Sequence, residues 1–122
     1  MGDHAPEIDE LLPLTPTVFH ILLALADQER HGYGIMQEVM AMTHNQVRMG
    51  PGTLYGSIKR MLKVNLIEES DERPDPQLDD ERRRYYRLTD LGRQVLAAEA
   101  QRLSVLIDVA QTKRILGGAE VI

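Results

Sequence analysis

The chain has 122 residues, room for one domain with a long helix to spare, and its 27% charged and 43% hydrophobic residues are the balance of a folded globular protein. It has no cysteine, which excludes disulfides, thiolate zinc sites and cysteine nucleophiles and fits a reducing, cytoplasmic setting; its four histidines show no close ligand spacing, so neither a metal nor a cofactor is expected. The net charge of −5 counts against nucleic acid on whole-chain arithmetic, but residues 48–67 hold four bases and residues 82–87 another four, both without an acid, while acids collect in 1–30 and 68–81.

Residues 1–13 form an acidic N-terminal segment that lacks the basic and then apolar pattern of a signal peptide. The longest strongly apolar run, Val18 to Ala26, is too short to span a bilayer, so no membrane role is expected. Thr15-Pro16 reads as a helix start, a hydroxyl cap followed by proline where its missing N–H costs nothing. Val18, Ile21, Leu22, Leu25 and Ala26 mark the buried face of that first helix. A second helix runs from Gly32 to Thr43, with Ile35, Met36, Val39 and Met40 as its apolar side; methionines at this spacing read as core. After a link containing Val47 and Arg48, Pro51 opens a third helix.

Leu66 to Ser70 and Arg83 to Leu88 are strand-like, and the DERPDPQLDDE stretch between them, residues 71–81, is a solvated acidic loop. Together they predict a β-hairpin with a long connection. Thr89-Asp90 caps a fourth helix that can run to Ile115, roughly 40 Å at 1.5 Å per residue. Gly117-Gly118 stops it and leaves 117–122 as a tail. Its apolar stripe outlasts the partners its own chain can supply, so burial on a second copy is the economical reading. The residues assigned to dimerisation are Leu96, Leu103, Leu106, Ile107 and Ala110.

The stretch GPGTLYGSIKRML, from Gly50 to Leu62, has the look of a nucleotide loop. Tyr55 stands where the third glycine of a dinucleotide fingerprint belongs, no register supplies a Walker sequence, and no preceding strand provides the context. On a helical projection Leu54, Ile58, Met61 and Leu62 face the core. Thr53, Gly56, Ser57, Arg60 and Lys63 project outward, with Tyr55 and Lys59 on the flanks. A cationic, hydroxyl-bearing, sterically low face suits a DNA major groove. Arg82, Arg83, Arg84 and Arg87 sit on the returning strand of the hairpin, where a wing meets flanking phosphates, whereas the acidic tip should point away. His31 and Tyr33 admit two readings, DNA contact or simple capping and partial burial.

These residues also carry a resemblance. HGYGI at His31 to Ile35, GPGTLYGSIKRM at Gly50 to Met61, LIEES after it and RRYYRLTDLG at Arg83 to Gly92 resemble the PadR-like transcriptional regulators, over nearly all of Leu14 to Leu96. The resemblance implies a mainly α fold with a small β-hairpin: a winged helix-turn-helix over 14–88, with the third helix for recognition, and a dimerisation helix over 89–116. It implies a homodimer on double-stranded DNA, usually a repressor at a palindromic operator, in a family where small-molecule effectors are known. It also implies Thr53 and Tyr55 near phosphates. Asn65 stands where the family usually has a turn glycine, a left-handed conformation that Asn tolerates. Gly56 stands where proline is frequent. The expected function is therefore sequence-specific transcriptional regulation without catalysis, through Thr53, Tyr55, Ser57, Lys59, Arg60, Lys63, Arg82, Arg83 and Arg84. The alternative is a winged-helix protein-interaction module without direct DNA recognition.

Overall fold

Side-chain caps and first-turn prolines start the helices where the sequence places them. The computed structural model describes residues 6–70 and 84–116. Its elements run α1 (Pro6–Leu11), α2 (Pro16–Ala24), β1 (Arg30–His31), α3 (Gly32–Met42), α4 (Pro51–Lys63), β2 (Ile67–Ser70), β3 (Tyr85–Leu88) and α5 (Asp90–Thr112). At α2 the Thr15 hydroxyl accepts from the Val18 N–H at 3.2 Å, at α3 His31 Nδ1 accepts from the Gly34 N–H at 3.0 Å, and at α5 the Thr89 hydroxyl accepts from the Gly92 N–H at 2.9 Å. Each bond satisfies one of the N–H groups that a helix leaves unpaired in its first turn.

The core gathers Ile21, Leu22 and Leu25 after and within α2, Ile35 and Val39 of α3, Leu54, Ile58 and Met61 of α4, and Val95 of α5, all fully buried or nearly so. Removing such a side chain from water contributes about 1.5–3 kcal/mol. The methionine of α4 is core, as its spacing predicts. Arg30 closes the end of α2, its Nε donating to the Ala24 carbonyl at 2.8 Å while its Nη2 meets Asp27 at 3.3 Å and Glu38 at 3.5 Å.

The sheet is antiparallel in the order β1-β3-β2, with Ile67 opposite Leu88 and Ser70 opposite Tyr85 in the hairpin, and Arg30 opposite Tyr86 on the other side. The expected hairpin is thus present and gains a third strand. Asn65 takes the left-handed conformation expected of it, φ 64°, and lets the Leu66 N–H reach back to the Met61 carbonyl at 2.9 Å. Gly92 has its own reason: a β-carbon there would overlap the Leu66 carbonyl oxygen and lie 3.0 Å from its carbon, so only glycine lets α5 begin this close to the sheet.

Three features depart from expectation. The acidic N-terminal segment contains α1, whose Ile8 is buried in the core. The last helix ends at Thr112, before the glycine pair, because Arg114 adopts φ 63° and turns the chain. Leu96, expected at a dimer interface, lies instead in its own protomer's core: with Gly92, Val95 and Glu99 it forms the buried i, i+3, i+4, i+7 face of α5. The acidic loop, Arg82, Arg83 and the tail from Gly117 onward lie outside the described residues. Among the described residues no helix is long and apolar enough to cross a membrane.

Candidate nucleic-acid interface

Helix α4 is anchored by a buried face and presents a different one. Leu54, Ser57, Ile58 and Met61 are buried, while Thr53, Tyr55, Lys59, Arg60 and Lys63 are exposed. The projected outward face therefore holds, with one correction. Ser57 falls at i+3 from Leu54 and one residue before Ile58, so it is 1% exposed on the core side, and its hydroxyl accepts a hydrogen bond from Arg60 Nη2 at 3.2 Å. It orients the arginine rather than facing outward itself.

The start of α4 is bare. Gly50 is the N-cap and offers no side-chain hydrogen bond, Pro51 fills the first turn, and a β-carbon at Gly50 or Gly52 would meet nothing within 4 Å among the described residues beyond its own neighbouring backbone. The first-turn N–H groups of Gly52 and Thr53 therefore lack a side-chain cap, on two exposed residues at the positive end of the helix dipole. Gly56, one turn on, is similarly unhindered, since its β-carbon would come no closer than 3.7 Å to Arg60 Nη1. Among the described residues Arg48, Lys59, Arg60 and Lys63 form no ion pair with a carboxylate, so their charge is directed to solvent.

Tyr55 is half exposed, but its ring lies across Gly32 at the start of α3, where a β-carbon would overlap the tyrosine hydroxyl and lie 2.6 Å from Cζ. This packing fixes the ring against α3 and explains the glycine of HGYG, a contact that the sequence pattern alone did not reveal. His31 is a cap whose ring also meets Tyr85 edge-on at 5.2 Å, whereas Tyr33 is 56% exposed rather than partly buried.

The wing behaves differently. Arg87 Nε meets Glu68 at 2.8 Å and its Nη1 meets Glu29 at 3.6 Å, while Arg84 Nη1 meets Glu69 at 3.2 Å. Glu68 and Arg87 are directly opposite in the sheet, the arrangement in which opposite charges pair best. The two described wing arginines are thus partly neutralised by the protein itself. Among the described residues no group of three or more histidine, aspartate or glutamate side chains is placed to hold a metal ion.

Beyond Arg102 the helix α5 is apolar on most of its circumference. Six of the eight residues from Leu103 to Ala110 are Leu, Val, Ile or Ala, and Val105, Leu106, Ile107 and Val109 are each about half exposed. Leu103 and Ala110 are half-buried.

Comparison with known proteins bears on all of this. A chain 34% identical over 86 residues is an uncharacterized 37.1 kDa protein in a transposon from Streptomyces fradiae; the match covers 70% of this chain but 22% of that protein, so the present chain spans about a fifth of its length. In structure the chain is similar to a PadR family transcription regulator from Clostridium difficile, with TM-score 0.64, 26% identity, and coverage of 79% of this chain and 95% of that one. It shares its fold with Bacillus subtilis PadR, a structure in complex with operator DNA, at TM-score 0.57 and 22% identity over 70% of this chain and 46% of that one. The profile of the transcriptional regulator PadR-like family matches residues 21–98, which span the core, the bare helix start and the wing, and the chain belongs to that family.

Proposed function

We propose that this chain is a sequence-specific DNA-binding regulator that acts as a homodimer on a palindromic operator, with α4 in the major groove. The observation that carries the reading is the contrast in charge: the cations of α4 and of Arg48 have no carboxylate partners among the described residues, on a helix whose first-turn N–H groups are also bare. Lys59, Arg60, Lys63 and Thr53 supply donors to phosphates and base edges, and Tyr55, held against Gly32, lies half exposed on the same helix. A two-fold symmetric dimer reads an inverted repeat, because each half-site meets the same surface. Repression then requires only occupancy, since a dimer seated over a promoter excludes polymerase. The operator complex of the similarly folded Bacillus subtilis protein supports this reading.

Salt dependence tests it. With three to four phosphates neutralised per protomer, log K for selected genomic fragments falls against log salt with a slope of roughly −5 to −7. An Arg60→Ala plus Lys63→Ala variant removes two cations per protomer and makes the slope shallower by about 3 to 4. A flat salt response, or wild-type binding by the variant, overturns direct DNA recognition and leaves the protein-interaction module.

A further inference from the structure

Arg60 differs from the other cations of its helix. Its Nη2 donates to the Ser57 hydroxyl at 3.2 Å, and its Nη1 lies beside Gly56, 3.7 Å from where a β-carbon would stand. The side chain therefore folds back toward the start of α4, the direction that helical side chains favour. Four residues along the axis are about 6 Å, so the guanidinium stands about one turn nearer the N-terminal end than the Cα atom that carries it. Lys59 and Lys63 are exposed and have no such tether among the described residues.

Ser57 is too deeply set to meet DNA itself. It lies on the core side of α4, and only 1% of it is exposed. Alanine would fill that position with a better helix propensity and no hydroxyl to satisfy. What the serine supplies is an acceptor for the arginine. Donor and acceptor share one helix, so the bond leaves the pose of α4 untouched and fixes the guanidinium relative to the backbone beneath it. That matters for a planar fork. A phosphate is served by a flexible lysine as a point charge, whereas O6 and N7 of guanine accept two coplanar N–H groups from one direction. Recognition helices meet base edges with their N-terminal residues, and the folded-back side chain brings the Arg60 fork toward that level.

We infer that Arg60 reads a guanine in each operator half-site, and that Ser57 is the positioning residue that holds its fork for that contact. The inference rests on the DNA-binding reading above, and the experiment tells the two apart.

Duplexes selected by the wild-type protein from a randomised pool are the probe, and each base pair of the half-site is exchanged in turn. One guanine, replaced by adenine in both half-sites, costs wild type roughly tenfold or more in affinity. Its replacement by 7-deazaguanine, which deletes only the N7 acceptor, costs part of that. Arg60→Ala abolishes both effects at that position and leaves the preference at every other position in place. Ser57→Ala keeps the arginine charge and hence the salt slope, but shrinks the preference for that guanine by about threefold or more. A serine that served packing alone would instead lower affinity for all duplexes equally. Uniform weakening by Arg60→Ala, with a slope shallower by about 2 and every base preference intact, makes Arg60 a phosphate contact and overturns the inference. Full guanine preference in Ser57→Ala overturns the role of the serine. Selection that recovers no duplex bound in a salt-dependent way overturns the DNA-binding reading and this inference with it, whereas selected half-sites without such a guanine overturn the inference alone.

Discussion

Gly56 lies in the interior of α4, where glycine costs about 1 kcal/mol relative to alanine, yet no atom of the described residues requires it. On the proposed DNA-binding reading, the glycine serves the close approach of a DNA backbone. Gly56→Ala is expected to raise stability in urea unfolding by about 0.5–1 kcal/mol, and to weaken binding of operator DNA at least threefold in fluorescence anisotropy. Equal affinity for both proteins would remove the clearance argument. Gly92 makes the opposite case. Alanine has the better helix propensity there too, but its β-carbon meets the Leu66 carbonyl, part of a rigid turn, and cannot be accommodated by a rotamer change. Overpacking against backbone outweighs propensity, so Gly92→Ala lowers stability by roughly 2–3 kcal/mol, visible as a lower urea midpoint at an unchanged m-value. Glu99 adds a dependence on pH. The Arg102 hydrogen bonds hold its carboxyl below the ordinary value, against the opposing effect of burial, and the Arg102 charge and the Leu14 main-chain N–H add to the lowering. A depressed folded value means that the contribution is complete above the unfolded carboxyl range and is lost as pH falls through the folded one. Wild type therefore loses stability below about pH 4 more steeply than Glu99→Gln does, and parallel unfolding curves in acid would refute the assignment.

Among the elements, α4 and the wing both carry basic runs in the sequence, and the structure separates them. Ion pairs on an exposed hairpin are individually weak, but Glu68, Glu69 and Glu29 still have to be displaced or repelled before Arg84 and Arg87 can serve a phosphate. Arg84→Ala plus Arg87→Ala is therefore expected to change the salt slope of DNA binding by less than about 1, against the loss of 3 to 4 for the α4 pair. A wing variant that matches the α4 variant would place the wing in full contact. This difference was not legible in the sequence, because the charge count of residues 82–87 contains no acid; the neutralising glutamates come from the opposite strand and from residue 29. What was legible has local causes. Thr15, Pro51 and Thr89 start helices through their own side chains, and Asn65 turns the chain at the position where a left-handed residue is required. The failures have causes as well. The strand β1 is two residues long and shows no alternation, the acidic character of the first residues hides the Ile8, Leu11 spacing of α1, and Ser57 is a polar residue at a core position. Helix α5 ends at Thr112, two residues before an arginine in the left-handed region, a residue type that carries no stop signal.

For the whole molecule the unsolved surface is the outer half of α5. A helix that exposes Val105, Leu106, Ile107 and Val109 together, about half of each, presents a larger apolar face than a solvated helix keeps. On the proposed dimeric reading, burial against the same helix of a second copy would remove it from water and generate the symmetry that an inverted repeat requires. Leu106→Glu plus Ile107→Glu is the sharpest probe, because both side chains already face solvent in the protomer, so charge there leaves the winged-helix core intact. The expected product sediments as a monomer at micromolar concentration with an unchanged far-ultraviolet dichroism spectrum. Its DNA binding follows from the same arithmetic: half the phosphate contacts give a salt slope of roughly −3, and loss of the second linked half-site lowers apparent affinity by about 100-fold or more. A variant that remains dimeric moves the interface elsewhere on the chain. One that is monomeric yet binds the full operator with wild-type affinity and slope separates dimerisation from recognition, since a single winged helix would then account for all the phosphates neutralised.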